Sequence, residues 1–185
     1  MVIEQFSFLL KDGRTAIIRS PKEEDWQNLI SFITKATGET DFLLNTPEEC
    51  SKFTPEFEKA FINSTNDSPY ATMILCLVDN QIVGNARIEQ LSHLKTKHRA
   101  TVGIAILRDY WNQGIGSHFF SKLISVAEAN PDIKQMELEF VEGNERAKAL
   151  YEKFGFKITS FRPNSIKAKD GTFKKEFYMI KELDR

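Results

Sequence analysis

The 185-residue chain has little cysteine, and its two cysteines lie far apart. Cys50 and Cys76 form no Cys-x-x-Cys pair and are too few for a disulfide framework, which predicts free thiols in a reducing compartment. The three histidines, His93, His98 and His118, have no metal-ligand spacing with each other or with the cysteines. The composition therefore predicts neither a disulfide nor a metal site.

Long apolar runs and blocks of one charge are also missing. No segment approaches the roughly 18 apolar residues of a transmembrane helix. The first residues carry neither the basic region nor the apolar stretch that is typical of a signal peptide. Acidic and basic residues are mixed along the chain, and the net charge is −1. We therefore expect a cytoplasmic protein whose partners include neither a membrane nor a nucleic acid.

The chain is rich in hydrophobic residues, which make up 41% of it and include fifteen Phe. This content at this length is enough for one domain, residues 1–185, with a core of its own. Turn signals and helix-start signals alternate along the sequence. The predicted strands cover residues 6–10, 15–19, 71–78, 82–91, 101–107, 135–141, 156–161 and 173–181. The predicted helices start at Pro21 and Pro47, after Ser20 and Thr46 as caps, and cover residues 114–130 and 144–154. This mixed order predicts an α+β domain with a mixed central sheet.

The stretch from Val102 to Ser117 indicates a phosphate site. An apolar strand leads into a turn, and Gly114 and Gly116 open a helix. The first N–H groups of a helix have no partner within it, and together with the helix dipole they bind anions. Glycine lets a phosphate approach the backbone. A Walker loop needs Gly-Lys-Ser/Thr, and a dinucleotide fingerprint needs glycine in place of Phe119, so neither of these motifs is present.

Two segments carry a resemblance to a known family. The loop Q-G-I-G-S at 113–117, with its strand and helix, resembles motif A of the GNAT superfamily of N-acetyltransferases. Further on, residues 144–156 resemble motif B, N-x-x-A-x-x-L-Y-x-K-x-G-F. The resemblance implies a mostly antiparallel central sheet flanked by helices. It also implies acetyl-coenzyme A as acyl donor, a cofactor-binding core at 70–180 and a helical acceptor-side region at 21–66.

The resemblance also implies which residues bind the cofactor. The backbone of Ile104, Ala105 and Ile106 would follow the pantetheine arm, and Asn144 would contact the cofactor while capping its helix. The family's loop usually carries Arg or Gln where this chain has Trp111, a change that removes a side-chain donor and leaves the backbone donors. The pyrophosphate would be held by Asn112, Gln113, Gly114, Ile115, Gly116 and Ser117.

Two catalytic roles follow from the resemblance. Tyr151 matches a tyrosine that donates a proton to the departing thiolate, for which a phenol is suited. An alkyl amine has a pKa near ~10.4 and needs a base before it can attack. Glu139 is our predicted base, because similar enzymes place a glutamate on this strand; Glu89, His98 or a water relay remain alternatives. Since neither cysteine has a histidine partner in sequence, we expect direct attack in a ternary complex.

The implied function is acetylation of a primary amine of a small molecule. Acetylation of a peptide N-terminus or a protein lysine is an alternative, and a non-catalytic coenzyme-A sensor is an alternative of another class. Glu39 and Asp41 would suit a cationic acceptor or serve only as a polar connection. The loop 163–170, with Lys167 and Lys169, would meet an acidic acceptor or water. Homodimers are common in similar proteins, and the sequence leaves that question open.

Overall fold

The computed structural model describes residues 1–183, and within them eight strands form one sheet. The strands are β1 (Phe6–Leu9), β2 (Thr15–Arg19), β3 (Ala71–Val78), β4 (Gln81–Gln90), β5 (Arg99–Ile106), β6 (Gln135–Val141), β7 (Lys157–Lys167) and β8 (Phe173–Glu182). Their order across the sheet is β1-β2-β3-β4-β5-β6-β8-β7. Only β5 and β6 are parallel among these neighbours. The predicted mixed, mostly antiparallel sheet is confirmed.

Helices cover both faces of the sheet, so the side chains of the central strand β3 are buried on both of its faces. The helices are α1 (Trp26–Gly38), α2 (Pro47–Cys50), α3 (Pro55–Asp67), α4 (Ile115–Ala129) and α5 (Glu145–Lys153). All eight residues of β3 are buried. Because successive side chains of a strand point to opposite faces, Ile74 and Cys76 pack on the α4 side, while Met73 and Leu75 pack on the α1 and α3 side.

The first predicted helix start is wrong by several residues. Lys22, rather than Ser20, precedes a short 3-10 turn, and α1 begins only at Trp26. The Ser20 hydroxyl instead accepts a hydrogen bond from the Ile3 N–H at 2.9 Å. Asp25 forms an ion pair with Arg19 at 2.6 Å. A tertiary contact therefore uses the side chain that the local pattern assigns to a cap.

The second predicted helix is two helices. Thr46 caps α2 as predicted, but α2 ends at Cys50. Thr54 then caps α3, with Pro55 at its start. Proline lacks an N–H and disfavours a helical residue before it, so a helix that begins at Pro47 cannot continue through Pro55.

The predicted loop 163–170 is mostly strand, because β7 runs on to Lys167. Pairing with β8 becomes irregular between Arg162 and Ile166, and Asn164 there has φ 52°. Pro163 lies in this irregular part of an edge strand, where a missing N–H is tolerated. Separately, no helix within residues 1–183 is long and apolar enough to cross a membrane.

Candidate active site

The site lies in a gap between β5 and β6. These parallel strands pair over only three residues each, ending at Thr101 opposite Glu137. Beyond that point β5 continues to Ile106 and β6 to Val141, so the sheet opens. A cleft of about 910 Å³ lies in the opening. This volume is at the upper end of the range for small-molecule sites and suits an elongated ligand.

The free edge of β5 presents backbone groups to the cleft. On its other side, β5 bonds to β4, and the Leu107 N–H donates to the Val83 carbonyl at 2.9 Å. Bonded pairs recur at every second residue of an antiparallel ladder, so Ala105 directs its backbone groups to β4. Ile104 and Ile106 therefore direct theirs toward the gap. All three predicted strand residues line the cleft.

The turn after β5 ends at Gly114, which has φ 95° and precedes α4. The amides of Ser117 and His118 bond to the Gly114 carbonyl at 3.0 and 3.2 Å. The amides of Ile115 and Gly116 come before these two, in the first turn, where the N–H groups of a helix have no backbone acceptor within it. No atom lies within 4 Å of the position of a Cβ on Gly114. The loop therefore offers backbone donors beside open space.

Gly116 has a different role, which is close packing. A Cβ at this position would lie 2.7 Å from Cδ2 of Leu150 on α5. The glycine thus lets α4 and α5 meet at the cleft. Among the predicted loop residues, Gln113 does not line the cleft. Asn112 lines it and has φ 61°.

Three cations line the same wall, and sequence reasoning missed all of them. They are Lys11, Arg146 and Lys153. The Lys153 ammonium donates to the Ser117 hydroxyl at 3.1 Å, at the start of α4. Arg146 and Lys153 are seven residues apart, which places them on one face of a helix. That spacing was the available signal, whereas Lys11 comes from the β1–β2 turn and had none.

Trp111 is fixed at the end of this wall. Its indole Nε1 donates to the Ile106 carbonyl at 2.7 Å. The Arg146 guanidinium lies 3.3 Å from the centroid of the indole ring, and the Arg108 guanidinium lies 5.6 Å from it. The Ile106 carbonyl therefore already accepts a hydrogen bond from Trp111, whereas the Ile106 N–H takes no part in this contact.

Tyr151 reaches the cleft from α5. Its ring packs against Phe120, Phe140 and Phe156, with centroids 5.3, 6.2 and 6.4 Å away. Burial raises the pKa of the phenol to about 12, and the positive charge of Arg146 acts weakly in the opposite direction. At neutral pH the hydroxyl is therefore protonated and serves as a donor.

Asn144 lies at the entry of α5. Its side chain accepts a hydrogen bond from the Ala147 N–H at 3.3 Å, so the predicted cap is present. Asn144 also lines the cleft. A contact with the cofactor stays a prediction.

Two carboxyl groups line the cleft from β6 and β8. Glu139 on β6 and Glu176 on β8 both line it. Burial raises the pKa of Glu139, and the nearby negative charge of Glu176 raises it further. Glu176 accepts hydrogen bonds from Ser165 at 2.8 Å and Arg162 at 3.3 Å. Glu176 is therefore held by β7, while Glu139 remains the carboxyl with the perturbed pKa.

The alternative bases lie elsewhere. Glu89 pairs with Arg87 at 2.6 Å. Neither Glu89 nor His98 lines the cleft. Cys50 and Cys76 are buried outside it, and burial raises the pKa of both thiols, that of Cys76 to about 12. Of these candidate bases and nucleophiles, Glu139 is the one that lines the same cleft as Tyr151 among the described residues.

The predicted acceptor carboxylates are used within the protein, contrary to the hypothesis for a cationic acceptor. Glu39 accepts a hydrogen bond from the Arg108 N–H at 2.6 Å, and Asp41 pairs with Lys169 at 3.7 Å. Neither lines the cleft. The Asp41–Lys169 pair also places this lysine against the protein. From the α1–α2 connection and from β7, the side chains that do line the cleft are Thr40, Phe42, Leu43, Leu44 and Ile166.

One cleft thus combines cations and helix amides with a carboxyl and a phenol, a set that suits an anionic ligand and proton transfer. The sequence matches the acetyltransferase (GNAT) family over residues 40–156. The chain therefore belongs to this family and is an acetyltransferase. No curated protein matches the chain in sequence.

Solved structures agree with this fold. An acetyltransferase of the GNAT family from Streptococcus pneumoniae is 26% identical, with a TM-score of 0.85 over 91% of this chain and 99% of that one. The protein yncA from Salmonella typhimurium, solved with its cofactor acetyl-CoA, is 17% identical, with a TM-score of 0.77 over 91% and 94%. A ribosomal-protein-alanine N-acetyltransferase from Brucella melitensis is 19% identical, with a TM-score of 0.76 over 90% and 99%.

Proposed function

We propose that this acetyltransferase transfers the acetyl group of acetyl-coenzyme A to a primary amine of a small molecule. Charged groups on different walls of the cleft carry the proposal. Lys11, Arg146 and Lys153 line it from the β1–β2 turn and α5, and Glu139 and Glu176 line it from β6 and β8, where Glu176 pairs with Arg162. A polyanionic donor would meet the cations, and a cationic amine would meet Glu139.

The residues of the cleft fit acetyl-coenzyme A. The amides of Ile115 and Gly116, with the three cations, suit the phosphates. The backbone of Ile104 and the Ile106 N–H suit the amides of a pantetheine arm, since a free strand edge binds extended chains. When bound, the cofactor supplies the acetyl group as an activated thioester.

Glu139 and Tyr151 would move the protons. Glu139 takes a proton from the attacking ammonium, directly or through water, and leaves a free amine. As the new C–N bond forms and the C–S bond breaks, Tyr151 donates to the departing sulfur, and the nitrogen releases its second proton to solvent to become the amide N–H. Glu139 also returns its proton to solvent. The sulfur leaves as a thiol after protonation, and solvent restores the proton of Tyr151. Because both cysteines lie outside the cleft, direct attack by the amine is the simpler route.

A small acceptor is supported by contacts beside the cleft. The connection between α1 and α2 is tied to the β7–β8 turn by the Asp41–Lys169 pair. The ammonium of Lys174 also lies 5.5 Å from the centroid of the Phe42 ring. These contacts bring the α1–α2 connection against the β7–β8 hairpin, which favours a small molecule over a folded protein.

A peptide N-terminus is the second candidate, because the Brucella melitensis neighbour is a ribosomal-protein-alanine N-acetyltransferase. Thiol release can be followed with a panel of small amines and of peptides with different first residues. A higher kcat/KM for small amines supports our proposal, and a higher value for peptides overturns the small-molecule part of it.

Acetyl-coenzyme A should raise the thermal midpoint of the protein. At ~100 times its Kd, a ligand adds about 2.7 kcal/mol, which corresponds to roughly 5–10 °C for a chain of this length. The measurement is thermal unfolding with acetyl-coenzyme A, free coenzyme A or adenosine at equal concentration. The first two should shift the midpoint, and adenosine should not. Absence of any shift at saturation would contradict the proposed donor site; a shift without thiol release for any amine would favour the coenzyme-A sensor.

Glu139→Gln should lower kcat/KM about a hundredfold and abolish the decrease of kcat/KM at low pH. Glu139 can act as a base only when it is ionised. Burial and Glu176 raise its pKa, so falling pH protonates it earlier than an ordinary glutamate. The measurement is the pH dependence of kcat/KM for the best amine.

Glu89→Gln is the matched control for this substitution. Glu89 is also a strand glutamate, but it pairs with Arg87 and does not line the cleft. We expect its profile to match that of the wild type. If kcat/KM of Glu139→Gln still decreases at low pH as in the wild type, Glu139 is not the base.

A further inference from the structure

Arg146 is an exposed cation on the first turn of α5, without an acidic partner among residues 1–183. Its side chain lines the cleft. Removal from water lowers its pKa, and Tyr151 is the one other group that influences it. Arginine nevertheless stays charged, because its ordinary pKa is above ~12. The cleft wall therefore carries a positive charge that is open to an anionic ligand.

Trp111 determines where this charge lies. The guanidinium of Arg146 is 3.3 Å from the centroid of the indole ring, a close cation–π contact. The indole is fixed in turn by its hydrogen bond to the Ile106 carbonyl at 2.7 Å. A planar guanidinium on a ring face keeps its N–H groups free at its rim, which suits bidentate binding of a phosphate.

Arg108 provides an internal comparison. Its guanidinium lies over the same indole, at 5.6 Å, but it donates to the backbone carbonyl of Glu39 and lies outside the cleft. Within residues 1–183, Arg146 has no such bond, and it lines the cleft. Of the two arginines on Trp111, one is partnered by the protein and the other faces the ligand site.

We propose that Arg146 binds a phosphate group of coenzyme A and that Trp111 is the positioning residue that holds its guanidinium at the cleft wall. This rests on the proposed function, since the phosphates of the acyl donor are the anions that function brings here. The side-chain donor thus comes from α5, and the loop residue Trp111 orients it.

Calorimetric titration with free coenzyme A tests the role of Arg146 without catalysis. Arg146→Gln removes the charge, and we expect Kd to rise about tenfold to a hundredfold, the range for a charge-assisted hydrogen bond. Lys148→Gln is the matched control, because it removes one positive charge from the same helix. Lys148 pairs with Glu145 and Glu152 at 4.0 Å and does not line the cleft. Its Kd should stay within about twofold of wild type.

The role of Trp111 is tested by graded substitutions. Trp111→Phe keeps an aromatic ring for the guanidinium but loses the hydrogen bond to the Ile106 carbonyl. Trp111→Leu loses the ring as well as the hydrogen bond. We expect Kd for coenzyme A to rise in the order wild type, Phe, Leu. Adding Trp111→Leu to Arg146→Gln should cause little further loss, because residues that act through one contact are not additive.

Titration with 3′-dephospho-coenzyme A identifies the phosphate. If Arg146 binds the pyrophosphate, Arg146→Gln should weaken this ligand by the same factor as coenzyme A. If Arg146 binds the 3′-phosphate, the substitution should leave the affinity for this ligand unchanged. Either result supports phosphate binding by Arg146.

Three results would overturn the inference. If Arg146→Gln binds coenzyme A as tightly as wild type, Arg146 is not a ligand-binding residue, although the proposed function stands. If the losses from Trp111→Leu and Arg146→Gln are fully additive, Trp111 does not act through Arg146. If wild type does not bind coenzyme A, the proposed function fails as well. Should circular dichroism show that Arg146→Gln is unfolded, Arg146→Lys replaces it, and wild-type affinity in that variant would exclude the stacked guanidinium.

Discussion

Tyr151→Phe should lower kcat by about a hundredfold or more while leaving the Kd for acetyl-coenzyme A nearly unchanged. The substitution removes only the hydroxyl. The remaining ring can keep its contacts with Phe120, Phe140 and Phe156. Burial raises the pKa of the phenol to about 12, so the group that is lost is a protonated donor at every physiological pH. Steady-state kinetics and calorimetric titration measure the two quantities separately.

Tyr70→Phe is the control for the loss of a tyrosine hydroxyl. Tyr70 is 63% exposed and does not line the cleft, so its variant should have wild-type kcat. The thermal midpoint of Tyr151→Phe should stay close to that of wild type, which separates catalysis from folding. Wild-type kcat in Tyr151→Phe would remove Tyr151 from the mechanism.

Gly114→Glu should abolish binding of acetyl-coenzyme A. Gly114 has φ 95°, a conformation that strains any residue with a Cβ by about 1–3 kcal/mol. The new carboxylate would also enter the open space beside the amides of Ile115 and Gly116. It would therefore occupy the anion site with the wrong charge for a phosphate ligand. Calorimetric titration measures the loss of affinity.

Two variants separate strain from charge. Gly114→Ala introduces the strain alone, so its loss of affinity should be much smaller than that of Gly114→Glu. Gly171 has φ 86°, open space around its Cβ position and a place outside the cleft. Gly171→Glu therefore adds the same charge and a similar strain at a remote turn, and it should bind acetyl-coenzyme A normally. Retained affinity in Gly114→Glu would disprove the phosphate-loop assignment.

Local sequence signals were enough for much of the sheet. The turn at Asp79-Asn80 has both residues at positive φ, 49° and 62°, as a tight hairpin requires. The apolar run before it forms a strand with the predicted bounds, residues 71–78. A strand buried on both faces is apolar throughout, so the polar residues that flank it mark its ends clearly. Helix starts were less certain. The cap at Thr46 is correct, whereas a tertiary hydrogen bond to Ile3 uses Ser20.

The charge pattern of the site needed the tertiary structure. The resemblance predicts Glu39 and Asp41 near the acceptor, but their use by Arg108 and Lys169 depends on contacts between distant segments. Glu176 reaches the cleft only because β8 inserts between β6 and β7, an order that no local pattern indicates. Motif spacing alone was enough to predict Tyr151 in the cleft. The helix that carries it, α5, directly follows the short loop after β6.

The irregular edge of the sheet bears on how copies of the protein can associate. One edge strand, β1, has only four residues, and the other, β7, contains Pro163 and loses its register between Arg162 and Ile166. A neighbouring chain finds no long regular row of N–H and C=O groups at either edge. Growth of a continuous intermolecular sheet, the first step toward amyloid-like aggregation, is therefore disfavoured by the backbone itself. Two copies that associate would have to do so through side chains.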